Sequence, residues 1–145
     1  MISTKKLIYN VIQRFSKVNY KGAIEGSAWT SKSIASGSSW VNLGSITVPP
    51  GVWLVSVVAT FPSNSTGYRM VTFSDSSSSG GANLRTQRMP ASNGTNTNIP
   101  MTFVVSGTEA KTYYLNVVQN SGSALSVDGR YSLVKLADSL GTSES

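Results

Sequence analysis

The sequence predicts an all-β protein, an antiparallel jelly-roll sandwich preceded by a short amphipathic α-helix. Apolar residues recur at helical spacing only before Gly22, and after it they recur with a period of two. Strong turn signals separate the period-two segments, and no helical pattern lies between them. Because the chain has no segments that could serve as crossover helices, we expect its strands to pair antiparallel rather than in βαβ units.

The N-terminal segment 1–22 is predicted to contain the helix. Its apolar residues are spaced by one, three and four positions, which places them on one helical face opposite basic and amide side chains. Ser3 or Thr4 can serve as the N-cap, and Gly22 follows the end of the pattern. The apolar face comprises Leu7, Ile8, Val11, Ile12, Phe15 and Val18.

Residues 23–137 are predicted to form the β domain, and residues 138–145 a flexible tail. Segment 51–61 alternates most clearly, because every second residue from Trp53 to Phe61 is apolar. The segments are rich in Val, Thr, Tyr, Phe and Trp, which strands favour. The other predicted strands are 28–34, 39–48, 67–74, 83–89, 99–106, 112–119 and 125–137.

Two predicted strands carry apolar residues on the face that a solitary sandwich would expose to water. These are Leu54 and Val58 in segment 51–61, and Tyr114 and Val118 in segment 112–119. Large exposed apolar surfaces mark interfaces, and a single amphipathic helix cannot bury its own apolar stripe. We therefore expect an oligomer in which neighbouring subunits cover these surfaces.

The formal charge of +6 is concentrated at the N-terminus. Residues 1–21 carry Lys5, Lys6, Arg14, Lys17 and Lys21 and no acidic residue, so the rest of the chain is nearly neutral. Nucleic-acid binding usually requires a larger basic patch interleaved with aromatic residues, and no nucleic-acid partner is expected. No apolar run is long enough to span a membrane, and no secretory signal pattern is present. Synthesis in a cytoplasm is expected.

The residue inventory argues against an enzyme. The chain has no cysteine and no histidine, which removes thiolate nucleophiles, Cys and His zinc sites and histidine acid–base chemistry. Its six carboxylates form no recognisable catalytic pair or calcium loop. We predict no catalytic residue, metal or cofactor. The enzymatic alternative is a polysaccharide-degrading site that uses Asp75 or Asp128 across a subunit boundary.

A few aromatic and basic residues are candidates for carbohydrate binding. Exposed tryptophan stacks on sugar rings, although such residues also cover sandwich edges or pack at subunit interfaces. Arginines on strand edges are commonly just solvated. The candidate glycan-binding residues are Trp29, Trp40, Tyr68 and Arg85, with Arg88 near them in the sequence.

Three segments resemble a known family. The run 45–56, Ser-Ile-Thr-Val-Pro-Pro-Gly-Val-Trp-Leu-Val-Ser, resembles a strand entry of C1q/TNF-like jelly rolls, which form the heads of many phage tail and head fibres. Segments 111–122 and 129–136 resemble the last strands of the same phage domains, in which a Gln-Asn-Ser-Gly turn leads into the closing strand. The resemblance covers about residues 40–137.

The resemblance implies a homotrimeric bacteriophage virion protein without enzymatic activity. Its jelly-roll head would be displayed outward on a tail or head fibre and would bind host surface structures, including polysaccharide. The N-terminal helix would dock to other virion proteins or bundle with its sister helices, with Leu7, Ile8, Val11, Ile12 and Phe15 making the contact. No coiled-coil heptads or Gly-X-Y repeat form a shaft. A capsid decoration protein without a receptor is therefore the alternative.

Overall fold

A computed structural model of the 145-residue chain describes residues 3, 5, 24–78 and 83–141. The predicted helix, with Leu7, Ile8, Val11, Ile12 and Phe15, lies outside these residues, and so does the end of the predicted tail. Among the described residues, no helix is long and apolar enough to cross a membrane.

Eight strands make up the described part of the chain and confirm the all-β prediction. Each predicted strand is present, with only its ends displaced. The strands are β1 (Ile24–Ile34), β2 (Val41–Val48), β3 (Gly51–Phe61), β4 (Tyr68–Ser74), β5 (Asn83–Pro90), β6 (Thr97–Gly107), β7 (Lys111–Gln119) and β8 (Leu125–Ala137).

The strands form two four-stranded antiparallel sheets. One sheet has the order β1-β8-β3-β6 and the other β2-β7-β4-β5. Every connection except the β4–β5 hairpin passes from one sheet to the other. This is the strand order of a jelly roll, which closes a sandwich through long-range pairs such as β1 with β8. The sequence pattern did not determine this connectivity.

The core lies between the sheets and follows the alternation of the strands. In β3 the odd-numbered residues from Trp53 to Phe61 are buried, while Leu54, Ser56, Val58 and Thr60 on the other face are half-buried. The Phe73 ring of β4 lies 4.3 Å from that of Phe103 and 5.2 Å from that of Tyr113, measured between centroids. Each such side chain contributes about 1.5–3 kcal/mol by leaving water.

Trp29 joins the two sheets by packing into a slot made of glycines. A Cβ atom on Gly44 of β2 would lie 2.3 Å from its indole ring, and one on Gly129 of β8 would lie 2.6 Å from it. The indole Nε1 donates to the Ser45 carbonyl at 3.3 Å, and the Tyr131 ring lies 5.2 Å away. Only glycine at both positions leaves room for this ring between a strand of each sheet.

The two ends of the sandwich differ in which parts of the chain they carry. The chain enters β1 at Ile24, which pairs with Val134 near the end of β8. We call this the entry end, and it also carries connections 49–50, 75–82 and 108–110. The far end, at the opposite end of the strands, carries connections 35–40, 62–67, 91–96 and 120–124.

Candidate functional site

The four far-end connections are tied together by hydrogen bonds. The Gly122 amide donates to Ser36 Oγ at 2.9 Å and so joins connections 120–124 and 35–40. The amides of Asn64 and Ala91 donate to the carbonyls of Ser92 (3.2 Å) and Gly67 (3.1 Å) and join connections 62–67 and 91–96. The Tyr68 amide, directly after connection 62–67, donates to Asn120 Oδ1 at 2.6 Å and links the two pairs into one preorganised surface.

The Gln119 side chain holds the far-end connections from inside the protein. It is fully buried, and its Nε2 donates to the carbonyls of Ile34 at 2.9 Å and Ser123 at 2.8 Å. Its Oε1 accepts from the Ser121 amide at 2.8 Å. One amide group therefore satisfies three backbone groups at the ends of β1 and of the β7–β8 connection.

Replacing Gln119 with leucine is expected to lower the free energy of unfolding by about 2–4 kcal/mol. The substitution keeps the size of the side chain but leaves buried backbone groups without partners, each at a cost of about 1–3 kcal/mol. Urea denaturation measures the loss. Gln87→Leu, at a half-buried edge position of β5, is the matched control and should change stability by less than about 0.5 kcal/mol. Equal losses in the two variants would contradict the anchoring role.

Arg69 places a positive charge inside the far end. It is fully buried, and its Nη1 donates to the carbonyls of Thr66 at 3.1 Å and Tyr68 at 3.0 Å, while Nη2 donates to that of Asn64 at 3.2 Å. Its Nε has no hydrogen-bond partner among the described residues. Burial lowers the pKa of the Arg69 guanidinium, but an arginine stays protonated at neutral pH. The carbonyls solvate this charge without neutralising it.

Tyr68 and Arg88 form the most distinctive surface feature of the far end. The Arg88 guanidinium carbon lies over the Tyr68 ring, 4.0 Å from its centroid. A shallow depression beside them is lined by Gly67, Tyr68, Arg88, Met89 and Pro90. Tyr68 is half-buried, while Arg88, Met89 and Pro90 are exposed. We call these five residues the Tyr68–Arg88 patch.

The structure separates the four predicted glycan-binding residues. Trp40 is half-buried and directly precedes β2, at the same end of the sandwich as Tyr68. Trp29 lies in its glycine slot, which corresponds to the edge-packing alternative. Arg85 pairs with Phe73, and its Nη1 donates to the Thr102 carbonyl of β6 at 3.4 Å. The glycan-binding role of each residue stays a prediction.

The arginine beside Tyr68 is therefore Arg88 rather than Arg85. Tyr68 pairs with Pro90, and positions 88 and 90 share one face of β5 whereas position 85 lies on the other. Five residues of strand separate Arg85 from Pro90, roughly 17 Å. The alternation of β5 was available in the sequence, but its pairing with Tyr68 was not.

A second surface covers the outer face of the β1-β8-β3-β6 sheet. Val104, Leu54 and Val134 are direct neighbours on β6, β3 and β8, and the register continues to Ile24 on β1. We call Val104, Leu54 and Val134 the aliphatic row. Val104 is 56% exposed, and Leu136, two residues beyond Val134, is 45% exposed.

The rest of this outer face carries little charge. The next row contains small residues, Thr102, Ser56, Ser132 and Gly26 in register. Among the outward-facing positions of this sheet whose side chains are described, only Arg130 and Asp128 are charged. Four strands, three of 11 residues and one of 13, make a face of about 700 Å² at standard spacings.

The outer face of the other sheet is covered in part by the chain itself. The connection after β4 folds over it, and the Asn116 Nδ2 donates to the Ser76 carbonyl at 2.9 Å. Thr72, Ser74 and Val118 on this face are 3% exposed or less. The expectation that a neighbouring subunit buries Val118 is therefore wrong, because this chain already buries it.

The carboxylates of the enzymatic alternative do not meet within one chain. Asp75 lies on the β4–β5 connection at the entry end, 3.9 Å from Lys111 Nζ. Asp128 lies on the outer face of the other sheet, where Ser31 Oγ donates to its Oδ1 at 2.5 Å. The described residues contain no group of three or more acidic side chains that could hold a metal ion.

Comparisons with known proteins place the chain by its fold. No family model and no curated protein matches it. A structure of infectious bursal disease virus, Gx strain, superimposes with a TM-score of 0.58 at 13% identity, over 79% of this chain and 32% of the viral chain. The VP2 subviral particle of the same virus gives 0.55 at 14% identity, over 81% and 34%. The chain shares its fold with part of a viral particle protein.

These matches have clear bounds. The chain spans about a third of the length of the viral chains, and the low identity makes this a likeness of fold alone. The globular domain of zebrafish complement 1qA matches over 78% of this chain and 96% of its own length, with a TM-score of 0.48 at 9% identity. We draw no conclusion from a score at that level.

Proposed function

We propose that this protein is a homotrimeric structural component of a bacteriophage virion, of the tail-fibre or head-fibre type and without enzymatic activity. The observation that carries the proposal is the aliphatic row on a sheet face that otherwise carries little charge. Apolar side chains in register, with Val104 56% exposed, gain free energy when a neighbouring subunit removes them from water. The fold shared with a viral particle protein supports the virion assignment.

A second copy of this chain is the occupant that best fits this face. Its area of about 700 Å² is close to the roughly 800 Å² that one partner contributes to a stable interface. The small side chains of the row Thr102, Ser56 and Ser132 allow close approach of another sheet. Arg130 and Asp128 give the face one charge of each sign, so the face does not repel a neighbouring copy by net charge.

The polarity of the sandwich suggests how the protein is oriented on a particle. Segment 1–22 joins the sandwich at the entry end, and the far end lies a full strand length away, about 36 Å along β3. We propose that the segment docks to other virion proteins through Leu7, Ile8, Val11, Ile12 and Phe15. The far end is then displayed outward, where it binds carbohydrate on the host surface through Tyr68 and Trp40.

The alternative is a capsid decoration protein with no receptor. The packing of Trp29 favours it, because the glycine slot removes one aromatic residue from the candidate glycan surface. A glycan array separates the two functions. Retention of a surface glycan at millimolar affinity or better supports the fibre assignment, and no retention favours decoration.

Light scattering on the full chain and on a chain that begins at Gly22 tests the assembly. We expect each to have three times the mass of its own chain, which for the full chain is three times 15.3 kDa, because the interface lies on the β domain. Sedimentation with virus particles should then require residues 1–21, since these residues carry the docking contact. A monomeric full chain would refute the trimer, and particle binding by the shortened chain would refute docking through the helix.

A further inference from the structure

We propose that the Tyr68–Arg88 patch binds an anionic saccharide, one that carries a carboxylate or phosphate group on a sugar. The inference rests on the proposed function, of which it specifies the ligand class. It depends on three observations: where the charges of the molecule lie, how Arg88 is held, and how rigid the surrounding surface is.

The described cations of the entry end are matched by carboxylates. Lys111 Nζ lies 3.9 Å from Asp75 Oδ2, and Lys135 Nζ lies 2.6 Å from Asp138 Oδ1. Glu109 adds a further negative charge on the β6–β7 connection. Within the strands and connections of this end, these lysines therefore have carboxylates beside them, although the basic segment 1–22 also enters here.

The sheet that carries the Tyr68–Arg88 patch has cations without a matching carboxylate at its far end. The described carboxylates lie at the entry end, except Asp128, which lies near the far end but on the outer face of the opposite sheet. Arg88 is exposed, and directly behind Tyr68 the buried Arg69 is held by carbonyls alone. Because the interior screens charge poorly, Arg69 adds to the positive potential at the patch. An anionic ligand gains from both charges, whereas a neutral ligand gains from neither.

The stacking of Arg88 on Tyr68 prepares the guanidinium for an anion. Contact through the flat face of the guanidinium uses the π system of the ring and leaves the N–H donors in the plane free to point outward. A planar fork of donors matches a carboxylate or a phosphate in a bidentate arrangement. The exposed Pro90, on the same face of β5 as Arg88, adds apolar surface on which the C–H face of a sugar ring can rest.

The patch is also held in place before a ligand arrives. The Tyr68 amide donates to Asn120 Oδ1 at 2.6 Å, and the Ala91 amide donates to the Gly67 carbonyl at 3.1 Å, so both edges of the depression are fixed. Binding to a preorganised surface avoids the entropic cost of ordering loops. Each site is shallow and binds weakly by itself, through one charge contact. The three sites of a trimer can together hold a polysaccharide whose repeating units bind at each of them.

Calorimetric titration of the full chain with defined oligosaccharides tests the inference. The probes are oligogalacturonate, its methyl ester, a phosphorylated glucan and polyglutamate. The ester keeps the sugar chain but removes the charge, and polyglutamate keeps the charge but lacks sugar. We expect oligogalacturonate or the phosphorylated glucan to bind at least tenfold more tightly than both controls, and the stronger of the two identifies the anionic group.

Arg88→Gln should weaken binding of that anionic saccharide by about tenfold or more, because it removes a charge-assisted contact. Arg85→Gln is the matched control: it makes the same charge change on the same strand, three residues or roughly 10 Å from Arg88 and on the opposite face, and should alter affinity less than twofold. Tyr68→Ala should also weaken binding. All three variants should keep the trimer mass, since none of these positions lies on the aliphatic row.

Three outcomes would overturn the inference. Equal losses in Arg88→Gln and Arg85→Gln would mean attraction by net charge alone. Equal binding of the methyl ester would mean a neutral-sugar ligand, which refutes the anionic class but leaves the proposed carbohydrate binding intact. Binding of none of the saccharides would remove both this inference and the receptor role, while the trimer and its virion assignment would still rest on the light-scattering result.

Discussion

Val104→Glu is expected to convert the trimer into monomers. In a single copy Val104 is 56% exposed, so a glutamate there is solvated and the fold is retained. In the proposed assembly the carboxylate would be buried against aliphatic side chains of the neighbouring subunit. An unpaired buried charge costs several kcal/mol, and the cost recurs at each interface of the trimer. The light-scattering mass should fall from three times 15.3 kDa to 15.3 kDa.

Met89→Glu is the matched control for this prediction. Met89 is also a large exposed apolar residue, 39% exposed, but it lies on β5 in the other sheet. This variant should remain a trimer. Circular dichroism should show the same β content in both variants. If Val104→Glu stays trimeric, the aliphatic row is not the interface, and if both variants dissociate, the effect is one of net charge.

Gly44→Ala should lower the free energy of unfolding by about 3 kcal/mol or more. In an ordinary strand this change is neutral or favourable, because alanine loses less backbone entropy than glycine on folding. Here the added methyl would lie 2.3 Å from the Trp29 ring. The ring cannot move away easily, because Gly129 of β8 also packs closely against it. A Cβ atom on Gly129 would lie 2.6 Å from the ring. Overpacking of this kind costs about 1–3 kcal/mol, and more where the backbone must shift.

The loss is measured by urea denaturation in the Val104→Glu background, where unfolding is not linked to subunit assembly. Gly37→Ala is the control: no atom lies within 4 Å of a Cβ there, and stability should change by less than about 0.5 kcal/mol. Trp29→Leu should be strongly destabilising alone, yet should cost much less in the presence of Gly44→Ala, because the smaller side chain makes room for the methyl. Additive losses would contradict direct packing of Trp29 on Gly44.

The positions and faces of the strands were predictable because alternation is a local property. Successive side chains of a strand point to opposite faces, so the period-two pattern of segment 51–61 marked its core face without any knowledge of its partners. Turn residues such as Pro49, Pro50 and Asn93-Gly94 interrupt the chain through their own backbone preferences. The same reasoning placed the ends of most strands within a few residues.

Two strands have similar apolar residues on their second face but differ in the structure. Residues distant in the sequence decide whether that face is covered. Leu54 and Val118 both belong to the second, apolar face of a strand. In the structure Val118 is buried by its own chain, whereas Leu54 lies in a row that ends in the exposed Val104. Nothing in segment 112–119 indicates that the connection after β4 folds over the face to which it belongs. The sequence therefore predicted an apolar surface for a neighbouring subunit on both strands, whereas the described chain itself covers the one around Val118.

The candidate site was also predictable only in part: the sequence shows its residue types but not their neighbours. Sequence reasoning singled out Tyr68, Arg85 and Arg88 from their residue types, but it could not tell which arginine lies beside Tyr68 or that Trp29 is enclosed. The pairing of Tyr68 with Pro90 brings Arg88 to the ring instead, and the pairing of β1 with β8 encloses Trp29 against Gly129.

By itself, then, the sequence determined the all-β class, the strand segments and the inward face of each strand. These properties follow from side-chain chemistry and the two-residue repeat of an extended backbone. Only the tertiary structure decided the order of the strands, which outer face stays uncovered and which arginine stands over Tyr68. Each of these depends on which strands pair and in what register, and a local pattern is compatible with many such pairings.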